Sequence, residues 1–482
     1  MTQGGLRLDD GHLIGVVRLA PGARGVTLGV VIGRDMTERR EVYETLDLAL
    51  RIGEVLLSSG AGAADVTVTM LAVTRACGVR NVTADVTFVD LTLHHQPTSD
   101  EPAAIQVRRV TRRPVDYANL IEVDEMVNRL VAGDITRREA GDQLARIVST
   151  GHHRLRWAVT VGWGVMGTGI ALTLGGSPIV CLLAFLTACA IDGTQLLLPL
   201  HRIPAFYQHA AGGFVATLIA VIASATELAV NPSRVVTTGI VILLAGVGMM
   251  GATQDALNGF PVTASARLID AVLNTAGIIA GVGAGLTVGD MLGVGLISFE
   301  PGAAGLAEAG VTVFGAALAA AAFAFASYAP RRSLIAVALV AALGQGVLLT
   351  VDSSEVGRTW GSAVAAVTIG AVCYLVAGRF RVPALVVVVP AVVPLLPGLD
   401  IYRGLALFAE GKDGVLELAS ALATALALAA GVILGQYLAQ PVKREARRLE
   451  TRLAGPRMVG PFRRRGHKDT RRPRPTSPRP PL

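Results

Sequence analysis

The stretch from Pro383 to Gly404 reads P-A-L-V-V-V-V-P-A-V-V-P-L-L-P-G-L-D-I-Y-R-G, apolar enough for a bilayer interior yet unable to run as one ordinary helix. Pro390, Pro394 and Pro397 each lack a backbone N–H, and each pushes the residue before it out of the α region. Inside a bilayer, interrupted backbone persists only where neighbouring protein or a water-filled cavity takes up the freed polar groups. A proline-broken apolar segment therefore predicts a transport site built on a discontinuous helix.

Composition agrees with a membrane setting. The chain has 482 residues, 52% hydrophobic and 16% charged, with mean hydropathy +0.55. Soluble domains carry about a quarter charged residues, so a polytopic membrane protein is expected. Cys77, Cys181, Cys189 and Cys373 form no C-x-x-C pair and suggest neither a disulfide framework nor a zinc site. The net charge of +7 is unevenly placed: Pro441 to Leu482 carries +11, leaving −4 for the remainder.

Met1 to Asp35 is Gly-rich, and Arg18 and Arg24 cut its apolar run, so no signal peptide is expected and residues 1–35 read as a disordered N-terminus. Residues 36–150 read as a small cytosolic α+β domain. Helical spacing over Glu38–Ser59 is stopped by Gly60-Ala61-Gly62, and Ala63–Ala76 follows as a second helix. Alternation over Val79–His94 and Ile105–Val110 predicts strands. Asp116–Val131 and Thr136–Val148 read as helices, with Thr136 and Glu139 spaced as a capping box.

Chemistry is not expected in this domain. Gly60-Ala61-Gly62 resembles the start of a phosphate-binding loop, but no strand precedes it and no lysine follows, so a helix–turn–helix junction is the reading. His94-His95 has no third ligand at a suitable spacing and reads as a solvated strand end. There is no G-x-S-x-G and no H-E-x-x-H. No catalytic residue, metal or cofactor is assigned, and the chain is not read as an enzyme.

From Leu155 onward there are ten apolar segments, approximately 155–174, 178–198, 210–230, 235–254, 268–289, 311–329, 333–350, 358–377, 383–399 and 415–439. Most are long enough to cross a hydrocarbon core of roughly 30 Å. Arginines gather in alternate loops: Arg154 and Arg156, Arg202, Arg267, Arg331 and Arg332, Arg379 and Arg381, then Lys443 onward. Acidic residues such as Glu227, Asp290, Glu300 and Asp352 favour the other side. The alternation predicts both termini in the cytosol.

Met250–Gly259 aligns without a gap on Leu395–Gly404, so that Asp255 meets Asp400, Gly259 meets Gly404 and, further on, Arg267 meets Lys412. These stretches end the fourth and ninth segments, five apart. Five is odd, so the halves 151–297 and 298–440 would be inverted five-helix repeats, the plan of many secondary transporters. Small residues recur every fourth position at Gly277, Gly281, Gly285, Gly289 and Gly293, and at Ala419, Ala423, Ala427, Gly431 and Gly435. Such ridges let helix backbones pack closely in lipid.

Polar residues within apolar segments mark a pathway. Asp192 and Gln195 interrupt the second segment, and Gln345 interrupts its counterpart, the seventh. Asp255, Asn258, Asp270 and Asn274 gather at the fourth-to-fifth junction, with Asp400 and Arg403 at the equivalent place opposite. The plainer alternative for Asp255, Asp270 and Asp400 is interfacial loop charge. Pro394, Pro397 and Gly398 are expected to form a gate. A carboxylate suits the ammonium of an amino acid, and N–H groups at broken helix ends suit its carboxylate. A buried carboxylate also suits coupling to protons, and nothing resembles a nucleotide-binding loop.

These residues resemble the threonine/serine exporter family. Gly60-Ala61-Gly62-Ala63-Ala64-Asp65-Val66, with Met70, Arg75, Gly78 and Asp85-Val86-Thr87-Phe88, is similar to its soluble region. Ile203 to Gln208 with Gly212-Gly213 resembles its second-to-third helix loop, and Pro383–Gly404 the hallmark of its C-terminal module. The likeness spans about Tyr43 to Leu438 and implies gradient-driven export of L-threonine and L-serine across the plasma membrane. Thr67 stands where many relatives have glutamate, so no role of that carboxylate carries over. Pro390-Ala391 replaces a common Pro-Gly.

The Arg- and Pro-rich tail, 441–482, is expected to be disordered and drawn to anionic lipid headgroups rather than to nucleic acid. The expected partners are thus a small amino acid, protons and membrane lipids, and a homo-oligomer is compatible with the sequence. The alternative functions are a passive small-solute channel, or a membrane-anchored enzyme with chemistry in residues 36–150.

Overall fold

The computed structural model describes residues 5–9, 12–16, 28–98, 102–110, 115–150, 154–225, 232–243, 245–293, 306–352, 357–380, 382–409 and 412–453. Within the stretch expected to be disordered, β1 (Gly5–Asp9) pairs antiparallel with β2 (His12–Val16), and α1 (Leu28–Ser58) begins before residue 36. The Asp10-Gly11 dipeptide between the two strands is a strong hairpin signal that composition alone obscures.

The first turn after α1 is taken by Gly60 with φ +93°, and α2 (Ala63–Ala76) follows. Three strands, β3 (Val82–Val86), β4 (Asp90–His95) and β5 (Ala104–Arg109), form an antiparallel sheet in sequence order, with Val86 opposite Leu91 and His94 opposite Ile105. Leu91 and Leu93 point into a core with Leu46, Leu50 and Ile52 of α1 and Met70 and Val73 of α2. His95 lies on that buried side at 8% exposure, so it is not the solvated strand end expected. The strand's period of two places it beneath the helices with Leu91 and Leu93.

Two further helices complete this N-terminal layer. Asp116 caps α3 (Tyr117–Ala132) by accepting from the Asn119 N–H, and Gly133, at φ +81°, closes it. The Thr136–Glu139 capping box opens α4 (Arg137–Ser149), with both reciprocal bonds present.

Beyond Leu155 the chain is helical: α5 (Arg156–Thr173), α6 (Pro178–Leu200), α7 (Ala205–Ser224), α8 (Pro232–Ile242), α9 (Ala245–Leu257), α10 (Pro261–Met291), α11 (Leu306–Ala326), α12 (Arg331–Asp352), α13 (Arg358–Phe380), α14 (Leu385–Val392), α15 (Gly398–Ala409) and α16 (Val415–Leu453). Among the described residues, seven helices are long and apolar enough to cross a membrane: α6, α7, α10, α11, α12, α13 and α16. The first apolar segment is the glycine-rich α5, of 18 residues.

The fourth segment, expected as one helix, is divided into α8 and α9. No proline lies between them; Gly246 and Gly248 follow the division, and glycine lowers helix propensity by about 1 kcal/mol against alanine. In the ninth segment, of the three prolines expected to push the preceding residue out of the α region, only Pro397 does so, since Val389 stays inside α14 and Val393 keeps α dihedrals at φ −51° and ψ −44°. Pro390 remains inside α14, a 3-10 turn covers Val393–Leu395, and Leu396 is extended at ψ 141° ahead of Pro397. The last helix runs to Leu453, past Pro441 where the tail was expected to begin; 454–482 lie outside the described residues.

Helix α7 packs along α10, and α13 along α16. The crossings match in detail. A Cβ at Gly281 would collide with the Ala210 carbonyl and one at Gly213 with that of Ile278; likewise Gly435 meets Val367 and Gly370 meets Val432. The alanine part of the α16 ridge behaves differently, because Ala419 and Ala423 are exposed. A strict four-residue step advances about 40° beyond one turn, so a long ridge rotates out of its contact.

Candidate functional site

The broken ninth segment lies against the divided fourth. Helix α15 packs on α8, and a Cβ at Gly398 would collide with the Val241 side chain and lie 3.7 Å from the Thr237 carbonyl. On α12, the position of a Cβ at Gly344 is 3.9 Å from Leu395 in the 3-10 turn. The neighbouring Gln345 is buried, and its Oε1 has no hydrogen-bond partner among the described residues. The buried Oγ1 atoms of Thr187 on α6 and Thr237 on α8 also lack partners, and Thr187 lies 3.6 Å from the Cβ position of Gly239. A buried polar atom without a partner costs roughly 1–3 kcal/mol, so each of the three calls for water or a polar ligand beside it. Thr187 and Thr237 were not singled out in the sequence, where threonines in apolar helices are too common to stand out.

The other expected pathway residues are distributed rather than gathered. Asp192, 9% exposed, accepts from Arg156 at 2.6 Å through both oxygens and from Thr160 at 2.8 Å, which ties the middle of α6 to the start of α5. Gln195 donates to the Gln208 carbonyl at 3.3 Å. Asp270 and Asn274 pair with each other at 3.3 Å, one turn apart on α10, with Asp270 among the exposed Leu268, Ile269 and Leu273. Asn258 is exposed, while Asp400 and Arg403 are half-buried on α15. Pro394 is half-buried, and Pro397 and Gly398 are buried at the break.

Asp255 is fully enclosed at the end of α9. Its Oδ2 is 3.2 Å from Nη1 of Arg267, and its Oδ1 accepts the Ala63 backbone N–H at 2.9 Å. Arg267 also donates to the Ala61 carbonyl at 3.2 Å, and Thr263 donates to the Val86 carbonyl at 2.7 Å. The two motifs of the N-terminal layer, Gly60-Ala61-Gly62-Ala63 and Asp85–Phe88, thus end on the α9–α10 junction. Burial raises the Asp65 carboxyl above its usual range, and the Asp255 carboxylate adds to that rise.

A second junction joins this layer to the α11–α12 turn. The Tyr117 N–H donates to the Ser327 carbonyl at 3.0 Å, and the Tyr117 ring meets Phe323 edge-on at 6.4 Å. Arg154 donates to the Phe325 and Ala329 carbonyls and lies over the Phe325 ring. Beside it an open groove of about 620 Å³ is lined by Glu122, Glu125, Arg129, Arg146, Arg154 and Tyr328 among others. Among the described residues no three His, Cys, Asp or Glu side chains are placed to hold a metal ion.

Comparison with known proteins identifies the family. A family described as "Putative threonine/serine exporter" matches residues 47–289, and one described as "Threonine/Serine exporter, ThrE" matches residues 312–438. The chain is 35% identical over 394 residues to a "Probable threonine/serine exporter" of Mycobacterium tuberculosis, covering 80% of this chain and 73% of the relative. It is also 35% identical over 380 residues to a "Threonine/serine exporter" of Corynebacterium glutamicum, covering 77% of each. No solved structure matches. Together, the two family matches and these relatives place this multi-pass membrane protein in the threonine/serine exporter family, whose members are transporters and not enzymes.

Proposed function

We propose that this protein is a secondary transporter that exports L-threonine and L-serine from the cytosol, driven by the proton gradient. The observation that carries the reading is the meeting of the α14–α15 break with α8, where Gly398 lies against the Val241 side chain and the Thr237 carbonyl, in an apolar bundle that buries polar atoms of Gln345 and Thr237 without partners among the described residues. Exposed helix ends at a break supply N–H groups for a substrate carboxylate. Buried hydroxyl and amide groups suit a small hydroxyl-bearing amino acid.

Two inverted five-helix halves, 151–297 and 298–440, form the transport unit, ten segments in all. This rests on the matched crossings of α7 with α10 and α13 with α16, and on a discontinuous fourth member in each half. Alternating access then follows from one half moving against the other. Asp192, Gln195, Asp255, Asn258, Asp270, Asn274, Gln345, Asp400 and Arg403 are assigned to the pathway or its mouths, and Pro394, Pro397 and Gly398 to the gate. The protein lies in the plasma membrane with both termini in the cytosol, residues 36–150 forming a cytosolic domain and the basic tail resting on anionic lipid.

The test is flux. Proteoliposomes loaded with labelled L-threonine are given an inward proton gradient; efflux that requires both the protein and the gradient is expected. Efflux equal to that of protein-free vesicles eliminates the exporter reading, and efflux indifferent to the gradient eliminates proton coupling.

A further inference from the structure

The N-terminal layer touches both halves of the bundle. One foot is the start of α2: Ala61, Gly62 and Ala63 close over Asp255 and Arg267, and Val86 accepts from Thr263. The other is the start of α3: Tyr117 bonds the Ser327 carbonyl and packs on Phe323. Leu46, Ile52, Met70, Leu91 and Tyr117 pack in one buried core that links the two feet and continues into the bundle through Phe323. Packed cores switch between discrete arrangements rather than stretch.

The first foot turns on one shared carboxylate. Its anchor is a carboxylate shared between a guanidinium and a helix N-terminus, and each of these donors is a stand-in for an ammonium group. Two further hydrogen bonds, from Arg267 to the Ala61 carbonyl and from Thr263 to the Val86 carbonyl, join the foot to α10.

We propose that the N-terminal layer is a clamp: docked on Asp255 and Ser327 together it holds the two halves in one arrangement, and flux requires release of the α2 foot, with the substrate ammonium competing for Asp255. The proposal rests on the exporter reading above and adds the regulation of its mouth. It gives the Gly60-Ala61-Gly62 turn a role that neither phosphate binding nor a plain helix junction supplies.

The experiment uses the full-length protein with its four cysteines replaced and Val86→Cys and Thr263→Cys introduced across the seam. Labelled L-threonine flux is measured in proteoliposomes after oxidation and again after reduction, with cross-link yield read from peptide mapping. Oxidation is expected to cut flux at least tenfold, and reduction to restore it. Undiminished flux through fully cross-linked protein overturns the clamp and leaves the exporter reading intact. Absence of flux in the unsubstituted protein overturns the exporter reading, and the clamp with it. A second measurement covers poor cross-linking: maleimide labelling of the single Val86→Cys variant is expected to speed up several-fold when L-threonine is added, and an unchanged rate also overturns the clamp.

Discussion

Asp255 and Arg267 form an enclosed ion pair, the carboxylate at 0% and the arginine side chain at 12% exposure, with 3.2 Å between Oδ2 and Nη1. Removing one partner of such a pair leaves an uncompensated buried charge, which typically costs 3–5 kcal/mol, whereas removing both is far milder. Arg267→Met is therefore expected to destabilise the purified protein by about 3 kcal/mol. Adding Asp255→Leu should recover most of that loss in a thermal melt. A double variant as unstable as Arg267→Met would show that the arginine acts through its bond to Ala61 instead.

Helix α10 crosses α7 with its backbone against the Ala210 carbonyl at Gly281, while a Cβ at Gly283 would meet nothing within 4 Å. Gly281→Ala must push the two helices apart, and overpacking typically costs about 1–3 kcal/mol and occasionally more. Gly283→Ala gains helix propensity of up to about 1 kcal/mol. The expected result is a large loss of folded yield for the first and an unchanged or slightly higher melting temperature for the second.

How much of this was legible beforehand depends on whether the signal was local. The ninth-segment break was readable because proline acts on its own residue and the one before, and Leu396 is extended just ahead of Pro397. The capping box at Thr136 was readable for the same reason. The division between α8 and α9 was not, because nothing local but two glycines marks it and packing against α10 and α16 decides the rest. Asp192 read only as a polar interruption of the second segment, since its partner Arg156 is 36 residues away in sequence. Likewise, no spacing rule connects Gly62-Ala63 with Asp255, 192 residues further on.

Glu139 accepts from the Thr136 N–H and hydroxyl, and these bonds hold its carboxyl below its ordinary value of 4.5. A depressed carboxyl pKa contributes stability that is present above the unfolded value and lost as pH falls through the folded one. Hydrogen exchange in the first turn of α4 should therefore accelerate below pH 4.5 beyond the intrinsic trend. Thr136→Ala should show fast exchange there at every pH, with little extra acid response.

Gln345 presents the opposite balance, since its Oε1 is buried without a partner among the described residues. Gln345→Leu removes an unsatisfied acceptor at nearly equal volume and is expected to stabilise the protein by about 1–2 kcal/mol. If the amide meets the substrate, the same change should lower L-threonine flux tenfold or more. Greater stability with unchanged flux would remove Gln345 from the pathway.

The prolines of the ninth segment separate a gate from a mere irregularity. Pro390 stays within α14, whereas Leu396-Pro397 is where the chain leaves the helix before Gly398 restarts it against Val241. Pro390→Ala restores a hydrogen bond inside an existing helix, so flux should remain within about twofold and stability should rise by up to roughly 3 kcal/mol. Pro397→Ala returns a backbone donor at the break and frees Leu396 to turn helical, which favours joining α14 to α15. A continuous helix removes the N–H groups that a broken end offers to a carboxylate. Pro397→Ala is therefore expected to lower flux at least tenfold while the melting temperature stays within a few degrees. Equal effects from the two substitutions would mean that the segment matters for packing alone, and the gate would then lie elsewhere.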